Sequence, residues 1–166
     1  MLLRNLWLLG IASCTQAAPQ DTGPAPLVDM ASWQLLDDSR DPIGPAPSAC
    51  DPLGVGVETD ILEIDTEACP WVTLGQRSLV DLQPGDTLSL LAWHSALSAP
   101  EPAVGLMGLW IGDQELWRTE PAIPGDATIY ELELPIDSSF PLDTQVRLHV
   151  HNHGANAWRL GRLERR

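Results

Sequence analysis

The chain predicts an all-β protein, a single antiparallel β-sandwich, on three observations. From Cys50 onward apolar and polar residues alternate with period two in short runs. Turn-forming clusters of Gly, Pro, Asp and Ser interrupt these runs every eight to twelve residues. No stretch after residue 50 repeats its apolar residues with a helical period. With 166 residues in all, there is material for one such domain and little more.

The elements follow in order. Residues 55–59 and 61–65 read as a hairpin, and a further strand starts at Trp71. Gln83-Pro84-Gly85-Asp86 is a strong turn ahead of residues 87–94. In that strand Leu88, Leu90 and Ala92 share one face, and Ser89, Leu91 and Trp93 the other. Residues 95–102 are a Ser-, Ala- and Pro-rich loop. Residues 104–111 form an almost unbroken apolar run, the pattern of a strand buried on both faces. Gly112-Asp113 turns it into residues 114–119, and Ile123-Pro124-Gly125-Asp126 makes the next turn. Residues 128–134 alternate cleanly, and residues 145–152 and 157–163 complete the set. Eight or nine short strands in this arrangement resemble jelly-roll sandwiches, including many carbohydrate-binding modules. The likeness is one of architecture and carries little functional weight.

The N-terminus is different. Arg4 precedes a short apolar run, Leu6 to Ala12, of about seven to nine residues where a membrane span needs roughly 20. The small pair Ala12-Ser13 then leads straight into Cys14. Ile11-Ala12-Ser13-Cys14 resembles the lipobox of bacterial lipoproteins. That resemblance covers the first 14 residues. It implies a signal peptide over residues 1–13, a diacylglycerol on the Cys14 thiol, a membrane partner reached through that anchor, and a place in the cell envelope. Thr15 stands where the family carries Asp for inner-membrane retention, which implies the outer membrane in a Gram-negative cell. The cysteine count agrees. There are three, and acylation of Cys14 leaves Cys50 and Cys69, which in an oxidising compartment are expected to form a disulfide.

Residues 14–49 are expected to be a tether. Residues 15–49 hold six Pro and two Gly, with Asp21, Asp29, Asp37, Asp38 and Asp41 set against Arg40 alone. Pro and Ala alternate at 24–26 and 45–47, favouring extended, unpacked chain. Within it Met30, Trp33 and Leu36 fall at helical spacing, so residues 28–36 are a segment that can dock on the domain. The domain itself is placed at residues 50–166.

Charge excludes one class of partner. Without residues 1–13 the chain has eight Arg against 23 acidic residues, a formal charge of −15. Such a surface repels polyphosphate, so nucleic acid is not expected as a partner. Four of the arginines, Arg159, Arg162, Arg165 and Arg166, crowd the C-terminus; they read as a solvated last strand or as a small basic tip for anionic headgroups.

The densest polar stretch is His149-Val150-His151-Asn152-His153-Gly154-Ala155-Asn156-Ala157-Trp158. On a strand Val146, Leu148 and Val150 face the core, which puts Arg147, His149 and His151 on the opposite face, with His153 next in line. Histidines two apart are about 6.6 Å apart along a strand, so His149, His151 and His153, with His94 from another strand, could meet on one metal ion. The plainer reading, which is favoured, makes them outward polar groups, because no motif places the general base or supporting carboxylates a catalytic zinc needs. The same stretch suits a sugar: Arg147, His151 and Asn156 match hydroxyls, and Trp93 or Trp158 can stack on a ring. Each Trp is more often core than platform, and Gly154 and Asn156 also serve a turn. Asp60 and Asp65 offer loop carboxylates for a structural Ca²⁺, but no calcium-loop pattern is present and no cofactor is expected. Nucleophile-elbow, phosphate-loop and zinc-protease motifs are absent from the sequence. Three functions are therefore carried forward, in this order: a non-catalytic binding module for a glycan or an envelope protein, a structural or accessory lipoprotein, and a metal-dependent enzyme of cupin type.

Overall fold

The computed structural model describes residues 23–36 and 50–166. The lipobox, Cys14 and most of the expected tether lie outside the described residues.

Thirteen strands, several of them very short, are described: β1 (Ala25–Pro26), β2 (Gln34–Leu35), β3 (Val55–Glu58), β4 (Ile61–Asp65), β5 (Trp71–Arg77), β6 (Thr87–His94), β7 (Ala103–Val104), β8 (Leu106–Ile111), β9 (Gln114–Thr119), β10 (Ala122–Ile123), β11 (Thr128–Pro135), β12 (Gln145–His151) and β13 (Ala157–Arg165). Two antiparallel sheets face each other. Sheet A runs β11-β6-β13-β4-β3, with β1 also on β13; sheet B runs β2-β5-β12-β8-β9; β7 and β10 form a small ribbon. The all-β sandwich expected from the alternation is what the chain forms.

Alternation sets the core. From sheet A, Leu88, Leu90 and Ala92 of β6 and Trp158, Leu160 and Leu163 of β13 point inward. From sheet B, Val72 and Leu74 of β5, Leu109 and Ile111 of β8, and Val146, Leu148 and Val150 of β12 meet them, each at 1% exposure or less. β8 is buried along its whole length, as its unbroken apolar run requires. Residues 80–82 form no strand; they make one isolated bridge, Leu82 to Phe140.

The Cys50–Cys69 disulfide is formed. By the chain-entropy account, closing a loop of this length stabilises the fold by about 3 kcal/mol. It ties the segment before β3 to the segment just before β5.

One expectation needs correcting. The domain does not begin at Cys50. Ala25 and Pro26 pair with Arg165 and Glu164 in sheet A, while Gln34 and Leu35 pair with Gly75 and Leu74 in sheet B. Between them Leu27 is fully buried and Val28 nearly so. A 3-10 turn, Met30–Ser32, makes the crossing, capped by Asp29, whose carboxylate accepts from the Ala31 N–H and the Ser32 hydroxyl. Those two bonds hold the Asp29 carboxyl below the usual carboxylate range. Residues 25–36 are thus a strap joining both sheets along one open edge. The Pro-rich composition concealed this, since two buried side chains and a few edge bonds suffice to dock so short a segment. At the opposite edge Trp117 and Tyr130 close the gap with their rings 5.3 Å apart.

Candidate functional site

The sandwich has two poles. The starts of β5 and β13 and the ends of β6 and β12 lie at one, here the upper pole; the opposite ends, with β1 and the C-terminus, lie at the lower pole.

The motif-rich stretch divides over three environments. Trp158 is fully buried in the core, its ring 4.7 Å from His94. It is therefore no platform. His94 continues the inward series Leu88, Leu90 and Ala92, so it points into the core from sheet A. Its Nδ1 lies 2.8 Å from the Ser95 carbonyl, which can only accept, and its Nε2 lies 3.1 Å from the Tyr130 hydroxyl. Both ring nitrogens are thus engaged.

Asn156 is a structural clamp. Its side chain accepts from the Ser98 N–H at 2.8 Å and donates to the Ser98 carbonyl at 2.9 Å. Thr66 and Asn152 complete the corner: the Thr66 hydroxyl contacts the Gly154 and Asn156 carbonyls and receives the Asn152 amide at 2.9 Å. Gly154 has φ +91°, and a Cβ there would fall 2.2 Å from the Ser98 carbonyl oxygen, so only glycine fits this turn. Asn156 and Trp158 therefore leave the sugar-contact set, and the plain reading offered for each from sequence is the one that holds.

The remaining candidates sit on the two outer faces. On sheet A, Trp93 packs its ring over Gly161. Around it Arg159 pairs with Glu63 at 2.5 Å, Arg162 with Glu131 at 2.9 Å, and Arg166 with Glu133 at 3.1 Å. Arg165 reaches Asp81 at 3.5 Å. The basic C-terminal tip is thereby spent on the protein's own carboxylates, because β13 lies inside the sheet and its arginines reach acidic neighbours on either side.

On sheet B the outward series of β12 is Gln145, Arg147, His149 and His151, as alternation predicted. His149 is nonetheless fully buried; its Nδ1 lies 2.7 Å from the Thr73 hydroxyl. His151 is half-buried. Its ring lies 4.3 Å from Trp71, whose ring is also 4.9 Å from His149, and 4.8 Å from that of His153. Trp71, His151 and His153 thus form a ring-lined shelf at the upper pole. Burial, with a smaller contribution from His153, holds the His151 imidazole below its ordinary value.

The four histidines do not gather. His94 enters the core from the other sheet, and among the described residues no three His, Cys, Asp or Glu side chains are arranged to hold a metal ion. The convergence considered from sequence fails because the parity of β6 sends His94 inward while that of β12 sends His149 and His151 outward.

Lower on the same face two adjoining hollows open beside the strap. One of about 460 Å³ is lined by Asp29, Ser32, Gln34, Gln76, Arg77 and Gln145; its neighbour of about 270 Å³ adds Arg147 and Asp113. Arg147 donates to the Gly112 carbonyl and pairs with Asp113. From Gln145 to His151 the row spans about 20 Å. Trp71 and the glutamines were missed from sequence. The legible signal for Trp71 was its two-residue offset from Thr73 on a strand whose Val72 and Leu74 read as core.

No protein-family model and no curated protein matches the chain. Solved structures with similar strand arrangements are distant. An arabinose-bound α-L-arabinofuranosidase superposes with a TM-score of 0.45 at 12% identity over 85% of this chain, which spans 24% of that protein. A module described as CBM4 gives 0.42 at 12% identity, covering 87% of this chain and 95% of its own. The N-terminal cellulose-binding domain of Cellulomonas fimi β-1,4-glucanase C gives 0.42 at 16% identity, covering 85% and 93%. At these values they carry no conclusion about what this protein binds.

Proposed function

We propose that this protein is a lipid-anchored cell-envelope protein whose sandwich binds a glycan, without catalysis, on the outer face of sheet B. The observation that carries the binding reading is the shelf of Trp71, His151 and His153, in line along β12 with Arg147 and Gln145. Indole and imidazole faces stack on the C–H face of a sugar ring, while amides and guanidinium groups satisfy its hydroxyls. A row of about 20 Å suits a short linear oligosaccharide rather than a single small molecule. The anchor reading rests on Ile11-Ala12-Ser13-Cys14.

Two measurements test the two halves. A glycan array probed with the chain from residue 23 onward should show binding that Trp71→Ala lowers at least tenfold while leaving the thermal midpoint nearly unchanged. No binding, or binding indifferent to Trp71, would rule out this face and leave the accessory-lipoprotein reading in its place. Mass spectrometry of the mature N-terminus should find a diacylated Cys14; an unmodified terminus elsewhere would rule out the anchor.

A further inference from the structure

The strap changes where a lipid anchor would hold the domain. Had the fold begun at Cys50, 35 residues would separate it from Cys14. It begins instead with β1 at Ala25, which pairs with Arg165 at the lower pole. Only ten residues, 15–24, then lie between anchor and fold. Even fully extended they reach at most about 36 Å. The nine residues of β13 alone extend about 30 Å from lower to upper pole. A leash of that reach, attached at one end of a domain about as long, keeps that end nearest the lipid.

The lower pole also carries apolar surface. Leu79 is 49% exposed and Leu142 is 60% exposed. They sit on neighbouring loops: the Ser78 carbonyl accepts from the Asp143 N–H, and the Leu79 N–H donates to the Leu27 carbonyl in the strap itself. Leu79 therefore sits beside the strap near the point where the chain enters the fold, with Leu142 on the adjoining loop. At this pole Asp81, Asp86, Asp137 and Asp143 outnumber Arg77, Arg165 and Arg166, which disfavours an anionic surface and favours a neutral one.

We infer that the lower pole rests on a zwitterionic lipid surface through Leu79 and Leu142, so that the Trp71–His151–His153 shelf at the upper pole faces away from the membrane. The inference rests on the lipid-anchor reading for its biological setting, and its test is built to fail separately from that reading. With Cys50 and Cys69 bridged, Cys14 is the one free thiol of the chain from residue 14 onward, which retains every described residue. Coupling it to maleimide-phosphatidylethanolamine in phosphatidylcholine vesicles anchors the protein whether or not a cell would do so. Photocrosslinking from a diazirine-bearing phosphatidylcholine, mapped by mass spectrometry, should then label residues 78–86 and 135–144. Labelling of residues 50–54, 95–104 or 152–155 to the same extent or more would overturn the orientation. The double change Leu79→Asp and Leu142→Asp should cut the yield severalfold at an unchanged melting temperature; an unchanged yield would overturn the leucine contact. An unlipidated Cys14 in cells would remove the anchor reading without touching either result.

Discussion

The two outer faces of the sandwich are built from the same alternation and end up chemically opposite. On sheet A the outward arginines of β13 reach glutamates, Arg159 pairing with Glu63 on adjacent β4 and Arg162 reaching across β6 to Glu131 on β11, and Ser89 joins Glu133 and Arg162 in one lattice. On the upper half of sheet B the cross-strand neighbours of His149 and His151 are Thr73, Gly108, Trp71 and Leu106. None of these four neighbours carries a carboxylate. A face whose charges neutralise one another offers a ligand little that it does not already hold. A face of rings and amides carries groups whose chemistry matches the faces and hydroxyls of a sugar. The arginine-rich stretch is therefore the structural one, and the histidine-rich one carries the candidate site.

The contrast can be broken from the core outward. Truncation to Cys50 removes Leu27 and Val28 from between the sheets. Burial of two such side chains is worth about 3–6 kcal/mol, comparable with the whole stability of many domains. The truncated domain should be largely unfolded by circular dichroism, whereas one starting at Gly23 should melt cooperatively. A folded truncation would mean that the strap is decoration. Trp158→Ala should cost about 3–5 kcal/mol through the cavity it leaves, read as a loss in chemical denaturation, since the indole fills the core beside His94.

Smaller effects separate the faces themselves. Trp71→Ala and Trp93→Ala remove equivalent indoles from the two outer surfaces. The first should weaken glycan binding at least tenfold, about 1.4 kcal/mol, and the second should leave it within twofold, as titration calorimetry would show. Equal losses would mean that the ion-pair lattice does not close sheet A. The smallest effect is one of pH. The His151 imidazole is held below its ordinary value in the fold, so the unfolded chain binds its proton first as pH falls. Stability from this group is present above about pH 6.5 and declines as pH drops through the lowered folded value. Replacing His151 with Gln should flatten the thermal midpoint over that window; an unchanged slope would place the sensitivity elsewhere.

Much of the architecture could be read in one dimension because it depends on local pattern. Period two assigned β4, β6, β9, β11, β12 and β13 within a residue or two, and it assigned the inward and outward sides of β6 and β12 correctly. The odd cysteine count matched the Cys50–Cys69 bridge. The strap was not legible, since its weak helical spacing dissolved into one 3-10 turn and two strand fragments whose partners lie some 40 and 140 residues away.

By itself, then, the sequence determined the class of fold, the parity of each long strand and the residues able to stack or donate on β12, because these follow from chain stereochemistry and neighbours in sequence. Tertiary structure alone decided which of them meet. Trp93, Arg147, His151, Asn156 and Trp158 look alike as candidates along the chain. The pairing of β13 with β4 and β6, and of β12 with β5 and β8, sends them to an ion-paired face, a ring-lined face, a buried turn and the core. Parity says only inside or outside of a given sheet. Which sheet a strand joins, and what stands across from it, is set by contacts between residues far apart in sequence, where no local pattern reaches.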